Sequence, residues 1–216
     1  MTIHDNYPCH PANYKAGRAG PIKYLVIHYV GALGDAEANA KYYGTTPGIQ
    51  ASAHYFVDHG PGAEVWASVL EGDTAWHCGA KSYRHPECRN ANSIGIEMCC
   101  HRDAAGTWYF DATTVDRTVE LARDIMARYG IDTDHVLRHY DVTGKCCPAP
   151  YVNDTEAWET FKARLTAQVS TDTPASSWAV ESWEKATRAG VFDGTNPQGT
   201  LTREQAAVVL DRLNLI

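Results

Sequence analysis

The chain has 216 residues, 44% of them hydrophobic, and a formal net charge of −7 at neutral pH. That length and apolar content support one sizeable core with a small appendix, and the acidic balance argues against nucleic acid as the partner. No apolar run is long enough to insert in a membrane, and the opening MTIHDNYPCHPANYK lacks the basic-then-apolar pattern of a secretory leader. The seven cysteines are an odd number, so they cannot all pair within one chain. Metal ligation, a reactive thiol or plain burial must account for at least one of them.

In chain order, KYLVIHYV (23–30) is a β-branched apolar run that predicts a buried strand. DAEANAKYYG (35–44) predicts a helix closed by Gly44. SAHYFVD (52–58) and AEVWASVL (63–70) predict two strands, and DHGPG between them supplies the turn residues of a hairpin. NSIGIEMCC (92–100) predicts another buried strand. TTVDRTVELARDIMARYG (113–130) is amphipathic, with Val115, Val119, Ala122, Ile125, Met126 and Tyr129 on one stripe and Gly130 as its C-cap. HVLRH (135–139) predicts a short strand, and NDTEAWETFKARLTAQV (153–169) a second amphipathic helix capped by Asp154 or Thr155. Strands mixed with helices, one strand pair being hairpin-linked, predict an α/β fold with a mixed central sheet flanked by helices.

By composition, residues 170–177 (STDTPASS) form a linker. This sets residues 1–169 apart as one domain and 178–216 as a small helical appendix. In the appendix, WAVESWEKATRAG and TREQAAVVLDRL predict two helices, the second capped by Thr202. A segment this short barely buries a core of its own.

Chemistry concentrates in HYDVTGKCCP (139–148). His139 ends a predicted strand, Cys147 follows eight residues on, and Pro148 biases Cys147 toward an extended backbone. A catalytic zinc needs three protein ligands and one open position. His28, at the end of KYLVIHYV, is the best third ligand, because α/β sites lie beyond strand ends. Taken singly, a histidine at a strand end is more often a hydrogen-bonded structural residue, and Lys145 alone reads as a solvated loop lysine.

Four blocks together resemble the zinc-dependent N-acetylmuramoyl-L-alanine amidases, whose fold is shared with peptidoglycan recognition proteins and many phage endolysins. They are IHYVG, AWHCG (75–79), NANSIGIE and RHYDVTGKCCP, in matching order across roughly residues 20–165. The resemblance implies zinc (Zn2+) held by His28, His139 and Cys147, with Glu97 and Lys145 as catalytic residues. It implies a bacterial peptidoglycan substrate, of Gram-positive type, cut between N-acetylmuramic acid and L-alanine. Some members use a tyrosine in the strand after the first helix. Here that position reads Ala53, so Glu97 carries the acid–base role and Tyr55 is left to packing.

The chemistry supports these assignments. Zinc supplies a water activated near neutral pH, Glu97 takes and returns its proton, and Lys145 stabilises the oxyanion. A carboxylate on the apolar strand SIGIEMC has little structural reason to be there. Tyr29, Trp76, His77 and Asn92 are expected to line the substrate groove. Cys146 points away from the metal, since neighbours in extended chain face opposite ways. The pairing of Cys78, Cys88, Cys99 and Cys100 is left open, with Cys78–Cys88 as one candidate disulfide.

The appendix resembles a single S-layer-homology repeat, which implies wall targeting or homo-oligomer formation. A wall-cutting enzyme with no leader and such a tail is expected to be a phage or prophage endolysin, made in the host cytoplasm and released through holin-type pores. The alternatives are a non-catalytic recognition module and a cytoplasmic muropeptide-recycling amidase.

Overall fold

The computed structural model describes residues 1–166, 175–192, 197 and 203–213. The chain divides into two compact units, Met1–Thr166 and Ala167–Ile216. The first unit opens with β1 (Ile3–His4), β2 (Tyr14–Lys15), β3 (Tyr24–Tyr29) and α1 (Ala36–Thr45). It continues through β4 (Tyr55–Val57), β5 (Val65–Ala67), β6 (Thr74–Ala75), β7 (Ser93–Met98), β8 (His101–Arg102) and β9 (Trp108–Tyr109). Then come α2 (Ala112–Tyr129), β10 (Val136–Arg138), α3 (His139–Thr143), α4 (Ala149–Asn153) and α5 (Thr155–Thr166).

The main sheet has the order β1-β5-β4-β7-β3-β10. β4 and β5 pair antiparallel as the expected hairpin, and the other neighbours run parallel. The architecture is the mixed α/β sheet with flanking helices that the sequence predicts.

Alternation along the central strands decides which side chains meet. Leu25 and Ile27 of β3, with Ile94, Ile96 and Met98 of β7, pack in one cluster with Val119, Ala122 and Ile125 of α2 and Trp158, Phe161 and Leu165 of α5. Burying a side chain such as Phe161 contributes about 1.5–3 kcal/mol. The intervening residues of the same strands, Val26 and His28 on β3 and Ser93, Gly95 and Glu97 on β7, face the other way. There Val26 packs with Tyr24, Cys78, Cys88 and Val142. This second face carries the site.

Several boundaries differ from the sequence expectation, each for a local reason. α1 starts after its N-cap Asp35 and runs through Gly44 rather than ending there. A Cβ on Gly44 would lie 2.9 Å from the Pro8 carbonyl oxygen, so that glycine permits a close chain crossing instead of a cap. The strand expected over 135–139 stops at Arg138, whose backbone N–H donates to Asp141 (2.8 Å), and His139 opens the short helix α3. α2 matches its prediction, with Asp111 as N-cap and Gly130 left-handed at φ 65°, although Tyr129 is exposed and Leu121 is buried in its place. Asp154 accepts the Ala157 N–H (2.9 Å), so it caps α5.

In the second unit, α6 (Val180–Arg188) and α7 (Arg203–Arg212) fall in the two predicted helical segments. Thr202 and the start of the linker, 170–174, lie outside the described residues. Trp183 stacks on Phe192 at 5.0 Å, while Trp178 is 88% exposed. Among the residues of this unit whose side chains are described none is buried, which fits its small size.

Candidate metal centre and groove

Three adjacent parallel strands deliver the central side chains. In the β3–β7 register His28 lies beside Glu97, and in the β3–β10 register Ile27 lies beside Arg138, so His139 follows directly at His28's other flank. The rings of His28 and His139 meet edge-on at 4.7 Å. Cys147 comes from the loop between α3 and α4, held by Tyr140 N–H donating to its carbonyl (2.8 Å) and by its own N–H donating to Lys145 (2.7 Å). The Cys147–Pro148 peptide is cis.

His28, His139 and Cys147 each offer one ligand atom, all within 4.8 Å of one another. They are 1%, 6% and 3% exposed. His28 Nδ1 lies 3.7 Å from Cys147 Sγ. Donors around a tetrahedral zinc, at bond lengths of about 2.0–2.3 Å, stand roughly 3.5 Å apart. His139 Nδ1 is buried with no hydrogen-bond partner, a costly state for a polar atom unless something binds it. Two imidazoles and a thiol suit a borderline-soft cation. The residues present therefore fit a zinc ion.

Burial dominates the electrostatics. It pushes His28 well below the usual imidazole range, helped by the neighbouring His139, His77 and Lys145. Burial, with Lys145, lowers His139 to about 4. Both rings are thus neutral at pH 7 and ready to ligate. Burial pushes the Cys147 thiol up to about 12, with the Glu97 carboxylate adding to the shift. Burial likewise raises Glu97 to about 8, partly offset by Lys145. Glu97 Oε2 is buried without a partner.

A cavity of about 440 Å³ borders this cluster, lined by residues including Trp76, His77, Lys81, His139, Thr143 and Lys145. Of the four residues expected in the groove, Trp76 and His77 are among its lining. Tyr29 instead packs against Trp108 at 6.1 Å. The Asn92 amide is occupied within its own turn, accepting from Arg89 N–H (2.7 Å) and donating to the Glu87 carbonyl (3.1 Å). Lys81 is a cavity cation that sequence reasoning did not single out; only its closeness to AWHCG marked it. All seven cysteines are free thiols, Cys146 exposed and the others buried.

Comparison with known proteins places this geometry in context. The profile of the N-acetylmuramoyl-L-alanine amidase family (Amidase_2) matches residues 18–150. The chain belongs to that family. The N-acetylmuramoyl-L-alanine amidase CwlL of Bacillus licheniformis is 36% identical over 154 residues, covering 67% of this chain and 41% of the relative. BlyA of Bacillus subtilis, an amidase of the same name, is 33% identical over 162 residues, 69% of this chain and 42% of its own. The chain thus spans about two fifths of the length of these relatives. Among solved structures, a mutant endolysin from Bacillus subtilis superposes with a TM-score of 0.60 at 28% identity, over 76% of this chain and 99% of its own. The catalytic domain of XlyA gives 0.60 at 27% over the same shares.

Proposed function

We propose that the chain is a zinc-dependent N-acetylmuramoyl-L-alanine amidase that cuts the amide between muramic acid and the stem-peptide L-alanine in Gram-positive walls, as a phage or prophage endolysin. One observation carries this reading: the ligand atoms of the buried His28, His139 and Cys147 converge within 4.8 Å of one another, with a Glu97 oxygen 4.0 Å from His28 Nδ1. The relatives named as amidases, and the solved endolysin at 28% identity, support it.

His28, His139 and Cys147 would hold the ion. When bound, zinc supplies a water activated near neutral pH and polarises a carbonyl. Glu97 takes the proton of the attacking water and returns it to the leaving amine of L-alanine. Lys145 sets a fixed cation at the groove, where oxygen charge develops as the amide carbon becomes tetrahedral. Trp76 offers an apolar ring face to the substrate. A recognition module that binds without cutting has no use for a third donor, and Cys147 is in place. The S-layer-homology-like segment 178–216 then aids wall targeting or self-association.

Elemental analysis of wild type and Cys147→Ser, beside stem-peptide release from purified Gram-positive walls, tests the reading. One zinc per chain with release, both lost in the variant, is the expected result. A folded, zinc-loaded wild type that frees no stem peptide from those walls overturns it.

A further inference from the structure

The metal-centre reading leaves a buried histidine to explain. His77 is 8% exposed, and its ring stands perpendicular to His28 at 5.1 Å between centroids. We propose that His77 is a positioning residue that fixes the tautomer and ring orientation of His28, through a hydrogen-bond chain whose polarity is set at the Arg89 carbonyl. The inference rests on the metal-centre reading above.

The chain runs through the interior of the site face. His28 Nε2 lies 3.0 Å from His77 Nδ1. His77 Nε2 lies 3.1 Å from Ser93 Oγ. Ser93 Oγ lies 2.7 Å from the Arg89 carbonyl oxygen. A carbonyl only accepts, so the Ser93 hydroxyl proton is spent on Arg89. Ser93 Oγ then has only lone pairs to offer His77, and His77 must donate from Nε2. With its ring proton on Nε2, His77 offers Nδ1 as an acceptor. His28 must therefore donate from Nε2, leaving its Nδ1 bare.

That bare Nδ1 is the atom 3.7 Å from Cys147 Sγ. The opposite polarity would put a proton on Nδ1, pointed where a cation has to sit. An outer partner on the second nitrogen of a ligand histidine commonly sets both tautomer and basicity. Here the partner is another histidine rather than a carboxylate, so it orients His28 without adding a negative charge.

The fold makes room for this ring at one glycine. A Cβ on Gly95 would stand 2.6 Å from His77 Cγ, so the middle of β7 must lack a side chain on this face. The segment is anchored from the other side, where the Asn90 carbonyl oxygen Oδ1 accepts from both the His77 and Cys78 N–H groups (3.2 and 2.8 Å). His77 thus borders the cavity while its two ring nitrogens are committed to His28 and Ser93.

The test uses the metal-free full chain. Zinc is titrated against a chromophoric chelator in wild type, His77→Leu, His77→Asn and Ser93→Ala, and ring 15N shifts give the His28 tautomer. His77→Leu is expected to weaken zinc binding by about 10–100-fold. His77→Asn, which returns an amide oxygen near the Nδ1 position, recovers most of the loss. Ser93→Ala lets the His77 proton move and gives a smaller loss, with mixed His28 tautomers. A rescue by Asn and a tautomer change are effects that a purely packing role does not produce. Should His77→Leu fail to fold, Ser93→Ala and the wild-type 15N spectrum decide. Unaltered zinc affinity in both His77→Leu and Ser93→Ala, or a wild-type His28 protonated on Nδ1, overturns the proposal while leaving the metal-centre reading intact. A wild type that binds no zinc overturns both.

Discussion

His28 and Glu97 stand side by side across the parallel register of β3 and β7, with His28 Nδ1 4.0 Å from a Glu97 oxygen. One oxygen of that carboxylate thus faces His28, and the other is buried without a partner. Glu97→Gln keeps the shape and removes the base. The variant is expected to retain one zinc per chain while kcat for stem-peptide release falls by roughly 10²–10⁴-fold. Metal analysis and single-turnover hydrolysis on the same sample check this. Full activity in the variant removes Glu97 from the mechanism.

Lys145 reaches the cavity from the loop that also carries Cys147. Its ammonium bears on His28, His139 and Glu97 at once. Lys145→Met keeps the apolar stem and deletes the charge. A loss of about 10²–10³-fold in kcat is expected, the range for one oxyanion-stabilising group, with little change in KM. A rise in KM alone would instead assign Lys145 to ground-state binding.

Much of this was legible in the sequence, and the remainder was not for identifiable reasons. The β-branched runs around Val26 and Ile96 gave the central strands, because a buried strand must be apolar on both faces. The ends of those strands, where His28 and Glu97 break the apolar run, marked the candidate site residues. β1, β2, β6, β8 and β9 have two residues each, too short to show any period. α3 was hidden because its cap is the Asp141 side chain reaching back to Arg138, a contact with no strong residue pattern. The position of His77 behind His28 depends on Gly95, and nothing in the string AWHCG tells which strand that histidine crosses. Tyr29 and Asn92 belonged by sequence to the right blocks, but which way each side chain is engaged was settled by Trp108, Arg89 and Glu87.

Metal uptake is expected to release protons. Cys147 is pushed up to about 12 by burial, so it is a thiol at neutral pH, whereas burial has already made His28 and His139 neutral there. A ligand must be deprotonated to bind. Between pH 6 and 8 the zinc affinity should rise about tenfold per pH unit, one proton displaced per ion. Competition titrations at three pH values measure the slope. A flat profile means that the thiol does not ligate.

Asp111 ties three elements together. Its carboxylate accepts from the Thr114 N–H (2.8 Å) at the start of α2, from the Gly60 N–H (2.8 Å) in the hairpin turn, and from the Thr113 hydroxyl (2.7 Å). His101 Nε2 lies 3.1 Å away. Burial alone would raise its pKa, but the bonds from Thr114, Thr113, Gly60 and His101 outweigh this and hold the carboxyl well below the usual range. The folded-state pKa is therefore depressed relative to the unfolded value of about 3.9. The contribution of those bonds is fully present well above that value and is lost as pH falls through it toward the folded pKa. Asp111→Ala should cost about 1–2 kcal/mol at pH 7, as for a strong N-cap. The gap between wild type and variant should narrow progressively below about pH 4. Urea midpoints at pH 7, 4 and 3 provide the comparison. A gap that stays constant down to pH 3 would mean that Asp111 acts through packing and not through its charge.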